Sequence, residues 1–511
     1  MLVLIYLLIL IQPYLNIASI TIQDPGDIID ISKDTADNAI KANYNVMPVM
    51  YLLSPLQATS FFNGTQSSSW ISHQTFSATA NDTNVIVVGN GAQLNLSFVN
   101  IVKTGYSSNL LQASFFGVNA AINIQNGSRV FFDHLNVTTH NGAANLYSYG
   151  NGSYAYVENS FLYSSGPAAH GLYAGGYGTV VGKNIAHYSG GNRCSSFAGD
   201  APAGYVTISD AIAHTNGIGS ATFYALGTIT ATNVIGYAAN APALFSDGRQ
   251  TSVFTNCDLT AGLLAGTVMF SSMIRQQGAM LNITNSRLTA LGNTMPALWF
   301  GNVIATVYLY NTIINTASNI LVTANYSQVT QDFNYYAGYP DNPNLLPAIV
   351  TINVVDCSLT GQLIAYNGSS INWIMSQYST WNGNAYSGYG NSYISISLDS
   401  TSIWNVTGNT MLQNLTTSNN SLANINSNGY NISYDSNSTM NSWLNQTTVS
   451  LTGGGKLMPA IPGQSIITTT QVTTSSAKQQ TPSHSVSIFS IPKTFILHLF
   501  SIKIFLFLFF H

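Results

Sequence analysis

The sequence predicts an all-β protein that forms a right-handed parallel β-helix, a solenoid of stacked coils, with a β cap at its C-terminal end. Three observations predict this fold. Strand-like segments recur at a nearly constant spacing, each has a polar residue at a similar place, and no helical pattern is long enough to cross between parallel strands. Hydrophobic residues make up 46% of the 511 residues. A single globular core is not expected at this length, so an elongated repeat is favoured.

The repeat is clearest in eight segments between residues 154 and 360. In each of them apolar residues alternate, as in a strand with one buried face, and a polar residue follows. Stacked coils lie about 4.8 Å apart, so like residues form columns. We therefore expect a ladder of polar side chains at Asn159, Lys183, Asp210, Asn233, Asn256, Asn285, Asn311 and Asp356. A β-sandwich or a propeller is the alternative, but hairpin turns between strand pairs are not evident.

Both ends of the chain carry targeting signals. Residues 2–11 form an apolar run of the length of a signal-peptide core, although a buried N-terminal strand is the alternative. Near the other end, small residues at 475–477 precede a polar spacer and an apolar tail over 488–510. This order is typical of a glycolipid (GPI) anchor signal attached at Ser475. The alternative for the tail is a transmembrane helix, which Pro492 and two lysines would interrupt.

These signals and the repeat divide the chain into six segments. The predicted segments are a signal peptide over 1–19, an N-terminal cap region over 20–84, β-helix coils over 85–392, terminal coils and cap over 393–462, a Ser/Thr-rich stalk over 463–475, and a removed anchor signal over 476–511. We therefore expect an extracellular protein at the cell surface, held in the plasma membrane by its anchor or transferred to the cell wall.

Glycosylation sequons support the secretory route. Fifteen asparagines lie in N-x-S/T sequons, and none of them falls between Asn151 and Asn282. The predicted glycosylation sites are Asn63, Asn81, Asn95, Asn126, Asn136, Asn151, Asn282, Asn325, Asn367, Asn405, Asn414, Asn419, Asn431, Asn437 and Asn445. The three cysteines are too few for a disulfide framework, and Cys257 and Cys357 are expected to be small buried packing residues.

Composition excludes some classes of partner. Charged residues make up only 6% of the chain, and the formal net charge is −4. No basic patch is present, so neither nucleic acid nor polybasic membrane docking is expected.

The sequence resembles a known group of proteins in its later part. The run from Leu398 to Gly408, LDSTSIWNVTG, leads to the glycine triplet at residues 453–455. Together with the stacked coils, these features resemble right-handed β-helix repeat surface proteins of the pectin-lyase-like kind, which occur in bacteria and fungi. The resemblance implies the fold over roughly residues 85–460. It implies no single activity, because this architecture is shared by lyases, hydrolases, adhesins and scaffolds.

No motif in the sequence indicates chemistry. The Asp-Asp pair, the Gly-His-Gly and the Arg-x-Lys expected of a pectin hydrolase are not present. Glu158 is the only glutamate, and the aspartates are scattered. Glycoside hydrolysis needs two facing carboxyl groups, and calcium needs several converging oxygen ligands. We therefore predict no catalytic residue, no metal site and no cofactor.

The best candidate site is an aromatic stripe. Tyr163, His187, His214 and Tyr237 each follow a predicted ladder residue by four positions, and Lys183 and Asp210 lie beside them. A sugar chain can stack on such rings, with a histidine as a possible acid or base. The alternative is an ordinary stacking column that only stabilises the solenoid.

Two classes of function follow from these observations. The favoured class is a non-enzymatic adhesin-like protein or wall-associated scaffold, whose partner is a carbohydrate or a cell-wall polymer. The alternative is a tethered polysaccharide-acting enzyme, either a pectin or pectate lyase or a glycoside hydrolase.

Overall fold

Alternating apolar residues organise this chain into parallel strands that stack coil upon coil. The computed structural model describes residues 51–461, except 65–68, 143, 263–264, 273, 326–344, 388–390 and 419–421. The predicted signal peptide, stalk and anchor signal lie outside the described residues, as do Ser475 and Asn419. Strands make up 59% of the structure and helices 3%. Within the described part of the chain, no helix is long and apolar enough to span a bilayer.

The predicted β-helix architecture is confirmed as a parallel β-solenoid of about 15 turns, consistent with a right-handed helix. At about 4.8 Å per coil, the stack is about 70 Å long. One sheet contains 29 strands, and two further sheets contain four strands each. Among the described residues, every strand pair is parallel except the last one, β36 with β37. The first strand begins at Gln57, within the segment expected to be an N-terminal cap.

The strands of the first half are β1 (Gln57–Asn63), β2 (Ser69–Ser72), β3 (Thr75–Ala78), β4 (Thr83–Gly89), β5 (Gln93–Lys103), β6 (Ile122–Gln125), β7 (Arg129–Thr139), β8 (Leu146–Tyr149), β9 (Tyr154–Ser164), β10 (Leu172–Gly175), β11 (Thr179–Ser189), β12 (Phe197–Thr215), β13 (Phe223–Ala238), β14 (Leu244–Asp247), β15 (Thr251–Thr255), β16 (Asp258–Ala261), β17 (Thr267–Phe270) and β18 (Gln276–Thr284). The strands of the second half are β19 (Arg287–Ala290), β20 (Leu298–Gly301), β21 (Val303–Tyr310), β22 (Ile313–Thr316), β23 (Ile320–Asn325), β24 (Ile349–Val355), β25 (Ser358–Thr360), β26 (Gln362–Ala365), β27 (Ser370–Ser376), β28 (Thr380–Gly383), β29 (Ala385–Tyr386), β30 (Tyr393–Leu398), β31 (Ile403–Val406), β32 (Thr410–Leu412), β33 (Asn414–Thr417), β34 (Ile425–Asn426), β35 (Ile432–Asp435), β36 (Val449–Ser450) and β37 (Lys456–Ala460).

A typical coil consists of a short strand and a long strand that bends in its middle. In β11 the bend falls at Asn184, which separates a leading arm, Thr179–Lys183, from a trailing arm, Ile185–Ser189. The short strand β10 precedes it along the chain. We call the residue at the bend the corner residue. The two arms run in different directions, so the bend at the corner determines the shape of the coil in cross-section.

The corner residue adopts a left-handed backbone conformation in successive coils. An L-residue with a side chain pays a steric cost there, and Asn and Asp tolerate the conformation best. The corner residues, with φ between 44° and 56°, are His73, Phe98, His134, Asn159, Asn184, Asp210, Asn233, Asn256, Asn285, Asn311, Asp356 and Gln377. The predicted stacking of Asn233, Asn256 and Asn285 on successive rungs is confirmed.

One predicted ladder position is wrong by a single residue. Lys183 pairs in register with Glu158, and Ile185 pairs with Ser160, so Asn184 is the corner residue of that coil. The buried residue two positions before the corner is accordingly Gly182. The prediction was wrong in this coil because Lys183 and Asn184 are both polar, whereas only the asparagine suits the left-handed bend.

Side-chain amides connect the corners of neighbouring coils. Asn184 Nδ2 donates to Asn159 Oδ1 at 2.8 Å, and Asn233 Nδ2 donates to Asp210 Oδ1 at 2.8 Å. Asn311 Nδ2 donates to Asn285 Oδ1 at 2.9 Å. In the first coils aromatic rings replace the amides: the Phe98 ring lies 5.1 Å from that of His73 and 4.5 Å from that of His134. The corner is thus an external column of stacked polar or aromatic groups.

Directly after the corner, the small side chains of Cys257, Ser286, Thr312 and Cys357 form a column inside the solenoid. Ser286 Oγ accepts a hydrogen bond from the backbone N–H of Cys257, and Cys357 Sγ accepts one from that of Thr312. Both cysteines are buried and form no disulfide, as expected. They lie three coils apart, with Ser286 and Thr312 between them. Burial raises the pKa of both thiols, so they remain protonated packing groups.

An α-helix, α1 (Leu110–Phe116), interrupts the early coils and covers part of the short-strand sheet. Tyrosine hydroxyls from the underlying strands hold its C-terminal carbonyls. The Tyr147 hydroxyl donates to the carbonyl oxygens of Ser114 and Phe115, and the Tyr173 hydroxyl donates to that of Ser114 at 2.8 Å. Tyr173 also bonds to the buried carboxylate of Asp200. These bonds satisfy helix-end groups that would otherwise lack partners.

The C-terminal end of the solenoid is closed by short elements. A 3₁₀-helix, Thr439–Leu444, packs on β33, where Asn441 Oδ1 accepts the Leu415 N–H at 2.9 Å and Trp443 Nε1 donates to the Leu415 carbonyl at 3.1 Å. The two-residue strand β36 turns back against β37. A single bridge joins Asn426 of β34 to Thr452. The last strand of each sheet therefore contacts a different short element.

We predict that Asn233→Ala destabilises the protein more than Asn233→Gly. Both substitutions remove the side-chain bond to Asp210, but alanine also brings a Cβ into the left-handed conformation at φ 56°. The difference should be about 1 kcal/mol. Thermal unfolding of both variants beside the parent measures it. An alanine variant as stable as the glycine variant would contradict the steric account of the corner.

Candidate functional site

The outer face of the trailing arms carries two columns of side chains beside the corner. Residues two and four positions after each corner point outward, while those one, three and five positions after it point inward. Over four consecutive coils, from β9 to β13, both outward columns are apolar or aromatic. We call this set the aromatic patch; its members are Phe161, Tyr163, Ala186, Tyr188, Ile212, His214, Ile235 and Tyr237.

The predicted stripe is corrected at one position. Tyr188, not His187, pairs in register with Tyr163 on one side and with His214 on the other. The cause is the same one-residue slip at Lys183. His187 points into the solenoid, where Nδ1 lies 2.8 Å from Ser196 Oγ and Nε2 lies 3.3 Å from Ser164 Oγ. It is fully buried and has no part in the outer face.

The four rings of the stripe contact one another in series. Tyr163 and Tyr188 are parallel, with an interplanar angle of 4° and centroids 6.1 Å apart. Tyr188 meets His214 edge-to-face at 5.0 Å, and His214 meets Tyr237 edge-to-face at 4.9 Å. Parallel and edge-to-face contacts at these distances are favourable arrangements of aromatic rings. Tyr188 is 1% exposed, so it forms the buried centre of the series.

Three other members of the patch are open to solvent. Ile235 is 58% exposed, Ile212 is 46% exposed and Tyr237 is 38% exposed, whereas Tyr163 and His214 are half-buried. Exposed apolar groups are normal when scattered, but a contiguous patch is typical of a binding surface. Sequence reasoning missed Phe161, Ile212 and Ile235. The signal that finds them is the corner itself, because the position two residues after it must point outward.

Both columns become polar again at the borders of the patch. One coil earlier, the corresponding residues are Asn136 and Thr138. One coil later they are Asp258 and Thr260, followed by Arg287 and Thr289. The neighbouring coils of the same solenoid thus place polar residues at these positions, and apolar residues recur there singly in more distant coils, at Val102 and Ile313. The fold itself does not require aromatic rings there.

Few charges border the patch. Lys183 and Asp210, predicted to lie beside the stripe, are both exposed at the edge formed by the corner column. Below the patch, Arg287 Nη1 forms an ion pair with Asp258 Oδ2 at 3.2 Å. Within the described residues, no group of three or more His, Cys, Asp or Glu side chains is arranged to hold a metal ion.

A pair of carboxylates lies elsewhere, on the leading arms. Asp133 and Glu158 are direct register partners on neighbouring coils, which places their backbones about 4.8 Å apart. Asp133 Oδ1 accepts a hydrogen bond from Asn159 Nδ2 at 2.8 Å, and Glu158 Oε2 accepts one from the Tyr156 hydroxyl at 3.1 Å. The sequence did not reveal this pair, because 25 residues separate its members along the chain.

The predicted sequon asparagines fall into two groups among the described residues. The exposed ones are Asn63, Asn81, Asn126, Asn136, Asn151, Asn367, Asn437 and Asn445; the half-buried ones are Asn95, Asn282, Asn325, Asn405, Asn414 and Asn431. Asn136 borders the aromatic patch at its N-terminal edge, and no sequon asparagine lies inside the patch.

Two buried histidines lie beneath this region. Burial lowers the pKa of His170 to about 4, and burial together with the nearby His170 lowers the pKa of His187 to about 3. His170 Nδ1 accepts the Ser195 N–H at 3.1 Å. Because both rings are neutral and enclosed at neutral pH, they are interior packing groups.

Comparisons with protein-family models, with curated proteins and with solved structures found no significant match for this sequence.

We predict that stability falls below pH 6.5 because of His170 and His187. The unfolded chain binds a proton at each imidazole near pH 6.5, whereas the folded chain does so only near pH 4 and pH 3. The loss should approach about 1.4 kcal/mol per pH unit for each histidine. Thermal unfolding between pH 7 and pH 4.5 measures it.

The double variant His170→Asn, His187→Gln should show a smaller decrease in midpoint over this range than the parent protein. Asparagine and glutamine keep a polar group near the bonded ring nitrogens. The exposed residue His73 provides the control, since His73→Asn should leave the pH dependence unchanged. If the unfolding temperature of the double variant depended on pH as steeply as that of the parent protein, these histidines would not be the cause of the stability loss at low pH.

Proposed function

We propose that this protein is a non-enzymatic, glycosylated cell-surface β-helix protein, an adhesin-like or wall-associated scaffold, that binds carbohydrate through the aromatic patch. The observation that carries the proposal is the change of two outward columns, over the same four coils, from polar to apolar and aromatic. If the patch served only to stabilise the solenoid, Ile212 and Ile235 would not need to be apolar, because both side chains remain largely exposed.

The chemistry of the patch suits a sugar. The C–H faces of a sugar ring are apolar and pack on aromatic and aliphatic side chains, while its hydroxyls need polar neighbours. Tyr237 and Ile235 offer the apolar surface, and the exposed corner residue Asn233 lies beside them. Aromatic contacts are worth about 0.5–1.5 kcal/mol beyond the area that they bury. Several in one line give useful affinity for an extended chain.

The alternative is a polysaccharide-acting enzyme. Asp133 and Glu158 favour it, because glycoside hydrolases use a pair of carboxyl groups and these two residues are neighbours on adjacent coils. Their arrangement is less suitable in other respects. Asp133 is shared between Asn159 and the ring of His134, and its side chain is 40% exposed on an outer face. Catalytic carboxyl pairs work in a cleft that holds the sugar on both sides, whereas this pair lies on the outside of the stack.

The proposed location follows from the two terminal signals. A C-terminal lipid anchor would hold the last coil nearest the membrane and place the patch, which lies in the first half of the stack, away from it. The predicted sequons would coat other parts of the rod with glycans. This arrangement suits a protein that presents a binding face to its surroundings.

We predict that the purified protein binds polysaccharides on a glycan array and that Tyr237→Ala weakens the binding about two- to tenfold, the equivalent of about 0.5–1.5 kcal/mol. Tyr308→Ala is the matched control. Tyr308 is also exposed, at 43%, but it lies on a leading arm outside the patch. Both variants should unfold at nearly the temperature of the parent protein.

The outcomes separate the proposal from its alternatives. Equal binding by the two variants would show that the patch is not part of the binding surface. A large loss of stability in Tyr237→Ala would show that the stripe is a packing column. Release of reducing ends from a bound polymer, abolished by Glu158→Gln, would establish the enzyme instead.

We predict that a phosphatidylinositol-specific phospholipase releases the protein from intact cells, or that glucanase digestion does so if the anchor has been transferred to a wall polymer. The physical reason is that the phospholipase cleaves the bond between the anchor's headgroup and its lipid, whereas a transmembrane helix contains no such bond. Immunoblotting of the supernatant measures the release. Retention after both treatments, with the tail peptide found by mass spectrometry, would favour the transmembrane helix.

A further inference from the structure

The patch is too small to be an interface between folded proteins. Its four coils span about 14 Å along the solenoid axis, and its two columns are about 7 Å apart. A stable interface buries about 800 Å² on each partner, several times the area of such a strip. A narrow ligand that extends along one direction fits this shape better than a second copy of the chain.

A second line of groups runs parallel to the strip. The corner residues of the same coils, Asn159, Asn184, Asp210 and Asn233, are all exposed. Within the ladder, Asn184 uses one amide hydrogen for Asn159 Oδ1. An amide has two N–H donors and two lone pairs on its oxygen, so further capacity faces solvent. We call these four residues, three amides and the carboxylate of Asp210, the amide rail. It lies two residues away from the first column of the patch.

The charges of this region favour an uncharged ligand. From Tyr154 to Ala261 the chain carries five acidic and three basic residues, a formal net charge of −2. The eight residues of the patch itself include one histidine and three tyrosines, and none is a carboxylate, lysine or arginine. A polyanion such as a uronic-acid chain needs compensating cations, and this surface has no surplus of them.

We propose that the ligand of the aromatic patch is a neutral polysaccharide whose chain lies parallel to the solenoid axis, with its ring faces on the patch and its hydroxyls on the amide rail. This inference rests on the proposed function and specifies its ligand class and orientation. An apolar strip and a polar rail that follow the same axis over the same four coils match a chain of sugars, which has apolar faces and a hydroxylated edge.

The test compares neutral with acidic polymers. Titration calorimetry measures binding of laminarin, mannan and cello-oligosaccharides, with polygalacturonate as the acidic probe. Binding should be confined to neutral probes and should change less than twofold between low and high salt, because no ion pairs are formed. Affinity for oligosaccharides should rise with length until the chain spans about 14 Å and should then level off.

The amide rail has its own matched pair of variants. Asn184→Asp should weaken neutral-polymer binding about two- to tenfold, since it removes the amide donors at the centre of the rail. Asn311→Asp makes the same change in the same column, where Asn311 Nδ2 donates to Asn285 Oδ1 at 2.9 Å, but it lies outside the four coils. Binding by Asn311→Asp should therefore equal that of the parent protein.

Each outcome has a distinct meaning. If no polysaccharide binds, the proposed function fails and this inference fails with it. If polygalacturonate binds and Tyr237→Ala weakens that binding, the proposed function stands and the neutral class is wrong. If neutral polymers bind but Asn184→Asp and Asn311→Asp have equal effects, the amide rail does not contact the ligand and the orientation is overturned.

Discussion

The left-handed corner is the constraint on which this structure depends. From His73 to Gln377 one residue in each coil takes a φ between 44° and 56°, and the chain direction changes there. Because the corners stack, every residue counted from them has a fixed direction: one, three and five positions later it faces the core, and two and four positions later it faces solvent. Asparagine suits the corner for two reasons: it tolerates the left-handed conformation, and its amide hydrogen-bonds to the corner residue of the preceding coil.

The fold could be predicted from the sequence because its signal is repeated many times. Alternating apolar residues with a recurrent Asn leave few other architectures, and an error in one coil does not affect the others. The site depended on one coil, so the same kind of error mattered. At Lys183-Asn184 two polar residues compete for the corner, and composition does not distinguish them. Choosing the first replaced Tyr188 by His187 and placed a buried imidazole on the surface.

The second column of the patch was hidden for a different physical reason. Pattern reading assumes that apolar side chains face inward, yet Ile212 and Ile235 face solvent while His187 faces the core. At the positions that define the patch, the polarity of the residue therefore predicts the wrong direction for its side chain. Register relative to the corner identifies the direction correctly. The carboxylate pair of Asp133 and Glu158 is likewise a product of register, since its members meet only when the coils are stacked.

The short covers at the C-terminal end have a consequence for assembly. A parallel β-solenoid with a bare last coil would offer its open edge to the first coil of another molecule, and head-to-tail addition would then continue into a filament. Here β36 runs against the common direction, and the 3₁₀-helix at Thr439–Leu444 occupies the edge of β33. These two elements therefore disfavour head-to-tail addition of another chain at the edges of β33 and β37.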